Sequence, residues 1–406
     1  MKKKLGFFLF VLVFPALINA EANREIPRVL SAVPNAEKIE RNVYAISADP
    51  GTETLVTGLR NELELRFNVY NRLFRFDPSQ LPPLNVRIIN SKEAYDRYVT
   101  SHLGAARAGA VYIHYSQAER RELVIFSGIL RSERSPEEAS ALAHQVFIQY
   151  FRGFVAHPPS WMTEGFGIFF STLYMNPGGT LGYEENLSWL ESAKRMGNRM
   201  LSVETILQND IQRTPYVNSE EFRVSSWALV SFLLNGGRDY FRSLTDSFMV
   251  LSSTADNAGN SRAVMDRISR WNDFSALNRD LKAYIDSRRT FKELMDDGRS
   301  AYSRGDMMSA EFYFLSAMDQ HPQDSAPYYY LGLLSYEDKN YEEAERYYLS
   351  SLERGNEDAI IYYALGVNAA AAGRKTNAAD YLHKAAAMDP ARYRARVEEL
   401  LRKIWE

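Results

Sequence analysis

Apolar residues recur at every third or fourth position from Thr52 to Phe74, which is the spacing of one face of an amphipathic helix. Residues 84–88 then alternate between apolar and polar side chains and predict a short strand after the breaker Pro82-Pro83. The same alternation over residues 111–115, followed across a polar link by the apolar run 123–126, predicts a β-hairpin.

Two further helices are predicted on either side of Pro158-Pro159. Ser135 and Glu138 have the spacing of a capping box, and Pro136 stands at the first helical position, so a helix is expected to begin there. The second helix, which is strongly apolar, is predicted from about Ser160 to Leu173.

Only helices and short loops are predicted beyond Gly178. One helix is expected to be capped by Asn218 with Glu221 and to stop at Gly236-Gly237. Strands early and helices late in the chain favour an α+β domain, assigned to residues 21–289.

The chain beyond residue 290 repeats itself every 34 residues without a gap, in segments 291–324, 325–358 and 359–392, an array assigned to 291–390. Four positions of the repeat keep a similar side-chain size: Gly298, Gly332 and Gly366; Ala310, Ala344 and Ala378; Phe314, Tyr348 and Leu382; Ala317, Ser351 and Ala385. This pattern resembles the tetratricopeptide repeat (TPR) family. The resemblance implies an all-α solenoid of three stacked helical hairpins, and residues 391–406 are expected to form a capping helix.

In the TPR family the first helix of each hairpin lines a concave groove that binds protein partners. The resemblance assigns to this groove Lys292, Met295, Arg299, Tyr302, Tyr329, Leu333, Tyr336, Tyr363 and Val367. Such a groove would be aromatic and apolar with a basic entrance, and would suit a protein or peptide partner with apolar anchors. Two alternatives stay open: the first domain could cover the groove, or the tyrosines could pack between repeats.

The first twenty residues have the pattern of a Sec-type signal peptide. Lys2, Lys3 and Lys4 form the basic head, residues 5–17 are apolar but short for a membrane span, and residues 18–20 resemble a cleavage site. A periplasmic or secreted bacterial protein is therefore expected, with no membrane span once the signal is removed. The alternative is an uncleaved signal that anchors the chain.

The composition excludes several kinds of site and partner. The 406 residues include six His and no Cys, which excludes disulfides, thiolate metal sites and thiol nucleophiles. Without the three lysines of the leader, 45 basic residues face 51 acidic ones, and a net charge of −6 argues against a nucleic-acid partner.

Two segments carry a second resemblance. Residues 142–148 read LAHQVFI and residues 159–165 read PSWMTEG, and together with Trp227 they resemble the gluzincin metallopeptidases, in particular their peptidase MA-like branch. In that family one helix presents two His four residues apart to a zinc ion, with a Glu beside the first His as general base. A Glu on the following helix completes the metal shell. The resemblance matches His144 to the first ligand and Glu164 to the last.

Two functional positions of this motif are lost. Gln145 stands where the general base belongs, and an amide has no useful basicity; Ile148 stands where the second His belongs, and an alkyl group binds no zinc. We therefore expect no catalytic residue, no metal and no cofactor, with His144 and Glu164 hydrogen-bonded to each other between packed helices.

The sequence therefore predicts an exported TPR-containing interaction or scaffold protein whose metallopeptidase-like domain does not catalyse, a pseudopeptidase. The alternative is a zinc-dependent metallopeptidase with a rearranged site, in which His157 or His114 joins His144 and Glu164. A third possibility is a cleft that binds peptides without cutting them. Three tyrosines could line that cleft or merely pack: Tyr112, Tyr115 and Tyr216.

Overall fold

The computed structural model describes residues 43–131, 134–175, 181–212, 219–355 and 358–406. The predicted signal segment, residues 1–20, lies outside these ranges. The chain is mostly helical, with a small sheet in its N-terminal part and a helical C-terminal region, and it divides between Arg288 and Arg289 into two compact units. None of the helices in the described ranges has the length and apolar character needed to cross a bilayer.

The first unit contains a four-stranded sheet. Its strands are β1 (Tyr44–Ala48), β2 (Leu84–Ile89), β3 (Ala110–Ile113) and β4 (Glu122–Phe126). They lie in the order β1-β2-β4-β3, so that β2 is parallel to both of its neighbours and β3 is an antiparallel edge strand. The antiparallel pairing of β3 with β4 confirms the predicted hairpin, with Tyr112 opposite Leu123.

Helices cover both faces of this sheet, and strands β3 and β4 are accordingly buried on both sides. The predicted amphipathic helix is α1 (Glu53–Phe74), which packs with α3 (Pro136–Phe154) against one face. Helix α2 (Lys92–Leu103) packs on the other face through Tyr95 and Val99. Helix α3 begins with the predicted capping box, in which Ser135 accepts a hydrogen bond from the Glu138 N–H and Glu138 accepts one from the Ser135 N–H.

Helix α4 (Ser160–Phe170) follows α3 and is shorter than predicted. The expected helical end instead forms strand β5 (Leu173–Met175), which pairs antiparallel with β6 (Leu181–Tyr183). The prediction of helices only beyond Gly178 was therefore wrong. A short apolar run has no periodicity that separates strand from helix, and here strand pairing decided the conformation.

Six helices complete the first unit. They are α5 (Leu187–Met196), α6 (Val203–Gln212), α7 (Glu220–Asn235), α8 (Arg238–Phe248), α9 (Asn257–Ser269) and α10 (Phe274–Ser287). Helix α7 is buried almost along its whole length and contacts α4, α5, α8 and α10. It ends at Gly236 as predicted, but its N-cap is Ser219, which accepts from the Phe222 N–H; the predicted cap Asn218 lies outside the described residues.

The second unit consists of three helical hairpins and a terminal helix. The hairpins are α11 (Phe291–Ser303) with α12 (Met307–Gln320), α13 (Ser325–Glu337) with α14 (Tyr341–Glu353), and α15 (Ala359–Ala371) with α16 (Lys375–Met388). Their first helices begin at the first residues of the three sequence repeats. Successive hairpins stack on one another, and the predicted terminal helix α17 (Pro390–Trp405) packs on α16 through Tyr393 and Val397.

In each hairpin, a glycine of the first helix contacts a bulky side chain of the second helix. Gly332 of α13 lies against the ring of Tyr348 on α14, and the other two hairpins repeat this contact, with Gly298 against Phe314 and Gly366 against Leu382. A Cβ atom at any of the three glycines would lie 2.5–2.6 Å from the opposing side chain. The repeated glycine thus allows the two helices of each hairpin to approach closely, as the sequence predicts.

Candidate functional site

The residues of the degenerate motif lie on α3 and α4, which pack against each other. The imidazole of His144 on α3 rests against Gly167 on α4, one helical turn beyond Glu164; a Cβ at Gly167 would lie 2.9 Å from the ring. Burial, together with the positive charge of Arg223, lowers the pKa of His144 to about 4. His144 is therefore neutral at physiological pH.

Gln145 has a structural role that the sequence did not reveal. Its Oε1 accepts a hydrogen bond from the backbone N–H of Tyr112 at 2.9 Å. Tyr112 lies on the edge strand β3, so the side chain at the general-base position joins α3 to the sheet and occupies an outward-facing N–H of that edge. Ile148, at the second ligand position, is half-buried and packs on the apolar core of the first unit.

Glu164 pairs with Arg223 of α7 rather than with His144. The Arg223 Nε lies 3.3 Å from the Glu164 Oε2, and the guanidinium also stands over the ring of Trp189. Burial raises the pKa of Glu164, although the charges of Arg223 and Arg152 lower it in part. The predicted hydrogen bond between His144 and Glu164 was wrong because a cation on a third helix competes for the carboxylate.

The two other histidines considered as ligands lie together. The rings of His114 and His157 are 5.7 Å apart between centroids, in an edge-to-face arrangement, and His157 is exposed. Burial and the charges of Arg152, Arg121 and His157 lower the pKa of His114 to about 4. Within the described ranges, no group of three His, Asp or Glu side chains converges as metal ligands would.

The three tyrosines considered for the cleft differ in position. Tyr112 is buried, and its hydroxyl lies 3.5 Å from the Nδ1 of His114, so Tyr112 lies beside that histidine. Tyr115 packs on the other face of the sheet with α2 and beneath Arg120. Tyr216 lies outside the described residues.

The predicted groove residues of the second unit fall into three groups. Met295 is only 4% exposed and fills the apolar interior of the first hairpins, so its assignment to the groove was wrong. Lys292 and Arg299 are exposed. The Asp296 carboxylate lies 3.1 Å from the Lys292 Nζ and 2.6 Å from the Arg299 Nη2, so its negative charge offsets the predicted basic entrance. The other six are half-buried: Tyr302, Tyr329, Leu333, Tyr336, Tyr363 and Val367.

These six side chains define what we call the tyrosine face, carried by α11, α13 and α15. Tyr329 lies 6.2 Å from Tyr348 between ring centroids, and burial raises its pKa to about 12. Tyr363 lies 5.0 Å from Tyr393 of α17. The tyrosine that stacks between hairpins is Tyr330, whose ring lies 4.6 Å from that of Phe314.

Comparison of the chain with protein-family models and with curated proteins finds no match.

Proposed function

We propose that this protein is an exported interaction protein, in which a TPR array binds a protein or peptide partner and a gluzincin-like domain does not cleave it. The observation that carries the proposal is the tyrosine face. Half-buried aromatic and aliphatic side chains lie there on the first helices, while the close contacts at the repeated glycines are made by other residues.

The chemistry of the tyrosine face suits a peptide. Tyrosine presents a large apolar ring with a polar tip, which makes it frequent at protein interfaces. In the part of the chain that the structure describes, the hydroxyls of Tyr302, Tyr329, Tyr336 and Tyr363 make no hydrogen bond, so each can donate to a bound backbone carbonyl. An extended or helical peptide with apolar anchors fits this combination.

The first unit supports the non-catalytic part of the proposal. Peptide hydrolysis by a gluzincin needs a base that takes a proton from water. The side chain at the position of this base is the amide of Gln145, which accepts a hydrogen bond from the backbone N–H of Tyr112. The carboxylate that would complete a metal shell is paired with Arg223. Both arrangements favour a structural use of residues that would act catalytically in an intact gluzincin.

Export rests on the first twenty residues. Expression in a bacterium should yield periplasmic protein whose mass corresponds to cleavage after Ala20. Protein that keeps residues 1–20 and stays with the membrane fraction would instead indicate an uncleaved anchor.

Partner binding is tested with peptides selected from a random display library on the full-length protein. The double substitution of Tyr329→Ala and Tyr336→Ala should lower the affinity for the selected peptides at least a hundredfold, because tyrosines that become buried at an interface are frequent hot spots. The matched control is Tyr347→Ala, which removes a half-buried tyrosine from the second helix α14 and should leave the affinity within about threefold.

Unchanged affinity in the double variant would refute this use of the tyrosine face, provided that its far-UV circular dichroism matches the wild type. Cleavage of the selected peptides by purified protein, sensitive to a chelator and lost in His144→Ala, would instead establish the metallopeptidase alternative.

A further inference from the structure

Helix α2 covers only part of its face of the sheet, because the strands change from polar to apolar along that face. Side chains alternate between the two faces of a strand, so β2 presents Asn85 and Arg87 and then Ile89 toward α2. Strand β4 likewise presents Glu122 and then Val124. The apolar positions pack with α2, whereas the polar positions line a recess of about 720 Å³.

One part of the lining of this recess is aromatic. Helix α2 contributes Tyr98 and His102, and the link between β3 and β4 contributes Tyr115. The ring centroids of Tyr98 and His102 are 4.4 Å apart, and those of His102 and Tyr115 are 6.1 Å apart. These rings offer an apolar surface to the uncharged part of a ligand.

The buried carboxylate of the recess holds two of its other side chains in place. Glu122 is 7% exposed, its Oε2 accepts from the Arg87 Nε at 2.9 Å, and its Oε1 accepts from the Tyr98 hydroxyl. Burial and this hydrogen bond raise the pKa of Tyr98 to about 12, so the hydroxyl stays protonated and donates. The Arg87 side chain is still 43% exposed and lines the recess.

The recess carries an excess of positive charge. Arg60 and Arg120 also line it, but Arg60 donates to a backbone carbonyl at 2.9 Å and Arg120 to an amide oxygen at 3.3 Å, both of them uncharged. Among the residues that the structure describes, neither guanidinium has an ion-pair partner. Glu122 compensates Arg87, so these two cations face only the exposed carboxylate of Glu119 in the lining. An anion is therefore attracted and a cation repelled.

We propose that this recess binds a small organic anion, whose carboxylate or phosphate group lies against the guanidiniums and whose apolar part lies against the aromatic rings. A guanidinium suits such a group because its paired N–H donors match two oxygens. The recess lies on the face of the sheet opposite to α1 and α3. The proposal thus concerns neither the degenerate motif nor the tyrosine face.

Isothermal titration calorimetry on the full-length protein at low ionic strength tests the proposal. The probes are phenyl phosphate and phenylacetate, with phenylacetamide as the uncharged analogue. We expect one equivalent of at least one anion to bind, at least tenfold more tightly than phenylacetamide. The double variant Arg60→Met and Arg120→Met should lower that affinity at least tenfold. The matched control is Arg97→Met, which removes an exposed guanidinium of α2 outside the recess and should leave the affinity unchanged.

A second pair of variants tests the sign of the charge. Ala45 of β1 is exposed and lines the recess, so a longer side chain there can be accommodated without disturbing the core. Ala45→Glu adds a negative charge and should lower the affinity for the anion at least tenfold, whereas Ala45→Lys should keep or raise it. Both variants place a long side chain at the same position, so a merely steric effect would weaken binding in both.

The two anions separate the possible ligands. Binding of phenyl phosphate alone indicates a phosphorylated ligand, and binding of phenylacetate alone indicates a carboxylic acid. Three results would each overturn the proposal: no saturable binding of either anion to the wild type, equal affinity of the wild type and the double arginine variant, or equal affinity of Ala45→Glu and Ala45→Lys.

Discussion

Replacement of Glu62 by Ala is expected to lower the free energy of unfolding of the first unit by about 3–5 kcal/mol, because it leaves a buried charge without its partner. The Glu62 Oε1 accepts from the Nε and Nη2 of Arg66 at 3.1 and 2.9 Å, and Arg134 approaches the other carboxylate oxygen to 3.1 Å. The side chains of Arg66 and Glu62 are only 3% and 7% exposed. Arg66 would keep one hydrogen bond, to the carbonyl of Leu173.

The same ion pair predicts a dependence on pH. Burial by itself raises the pKa of Glu62, but the attraction of Arg66 and Arg134 outweighs it, and the net pKa lies below the ordinary value. A folded pKa below the unfolded one, about 4.3, means that the pair stabilises the fold above that pH. This stabilisation is lost as the pH falls through the folded pKa, and the Glu62→Ala variant should lack that part of the pH dependence.

Urea unfolding of wild type and variant at pH 7 and at several values down to pH 3 measures both effects. The control is Glu191→Ala, which removes an exposed carboxylate on α5 and should change stability by no more than about 0.5 kcal/mol. A Glu62→Ala variant as stable as this control at pH 7 would show that the buried pair contributes nothing.

Replacement of Gly332 by Ala is expected to destabilise the second unit by about 1–3 kcal/mol, the usual cost of overpacking a close contact. The new Cβ would lie 2.5 Å from the Tyr348 ring, which is 1% exposed and has no room to move aside. Alanine is favoured over glycine inside a helix by about 1 kcal/mol, so the clash must exceed this gain.

Gly58 provides the opposite case. It also lies inside a helix, α1, but a Cβ there meets no atom within 4 Å. Gly58→Ala should therefore stabilise the first unit by about 0.5–1 kcal/mol. Thermal unfolding of both variants measures the contrast, and stabilisation by Gly332→Ala would mean that the hairpin tolerates a wider separation of its helices.

Local features of the fold were predictable because their signals lie within a few residues of one another. The capping box of Ser135 and Glu138, the helix from Glu53 to Phe74 and the hairpin of β3 with β4 all appear as expected. The end of α4 and the strand β6 were missed. Residues 173–175 form a strand because they pair with residues 181–183. The pattern of apolar and polar side chains within residues 173–175 does not indicate that pairing.

The candidate site was predictable only in part. That Gln145 and Ile148 cannot serve as a general base and a zinc ligand follows from residue types alone, since an amide is no base and an alkyl group is no ligand. What these residues do instead depends on distant partners. Gln145 meets Tyr112 across 33 residues of chain, and Glu164 meets Arg223 across 59.

The sequence by itself determined the periods of the helices and strands, the 34-residue repeat with its small and large contact positions, and the absence of a complete zinc motif. These properties depend on residue identity and short-range spacing. The tertiary structure decided that Glu164 is held by Arg223, that Met295 is interior, and that Asp296 offsets the cations beside it. Charge pairing and burial depend on distances across the fold, which no pattern along one chain specifies.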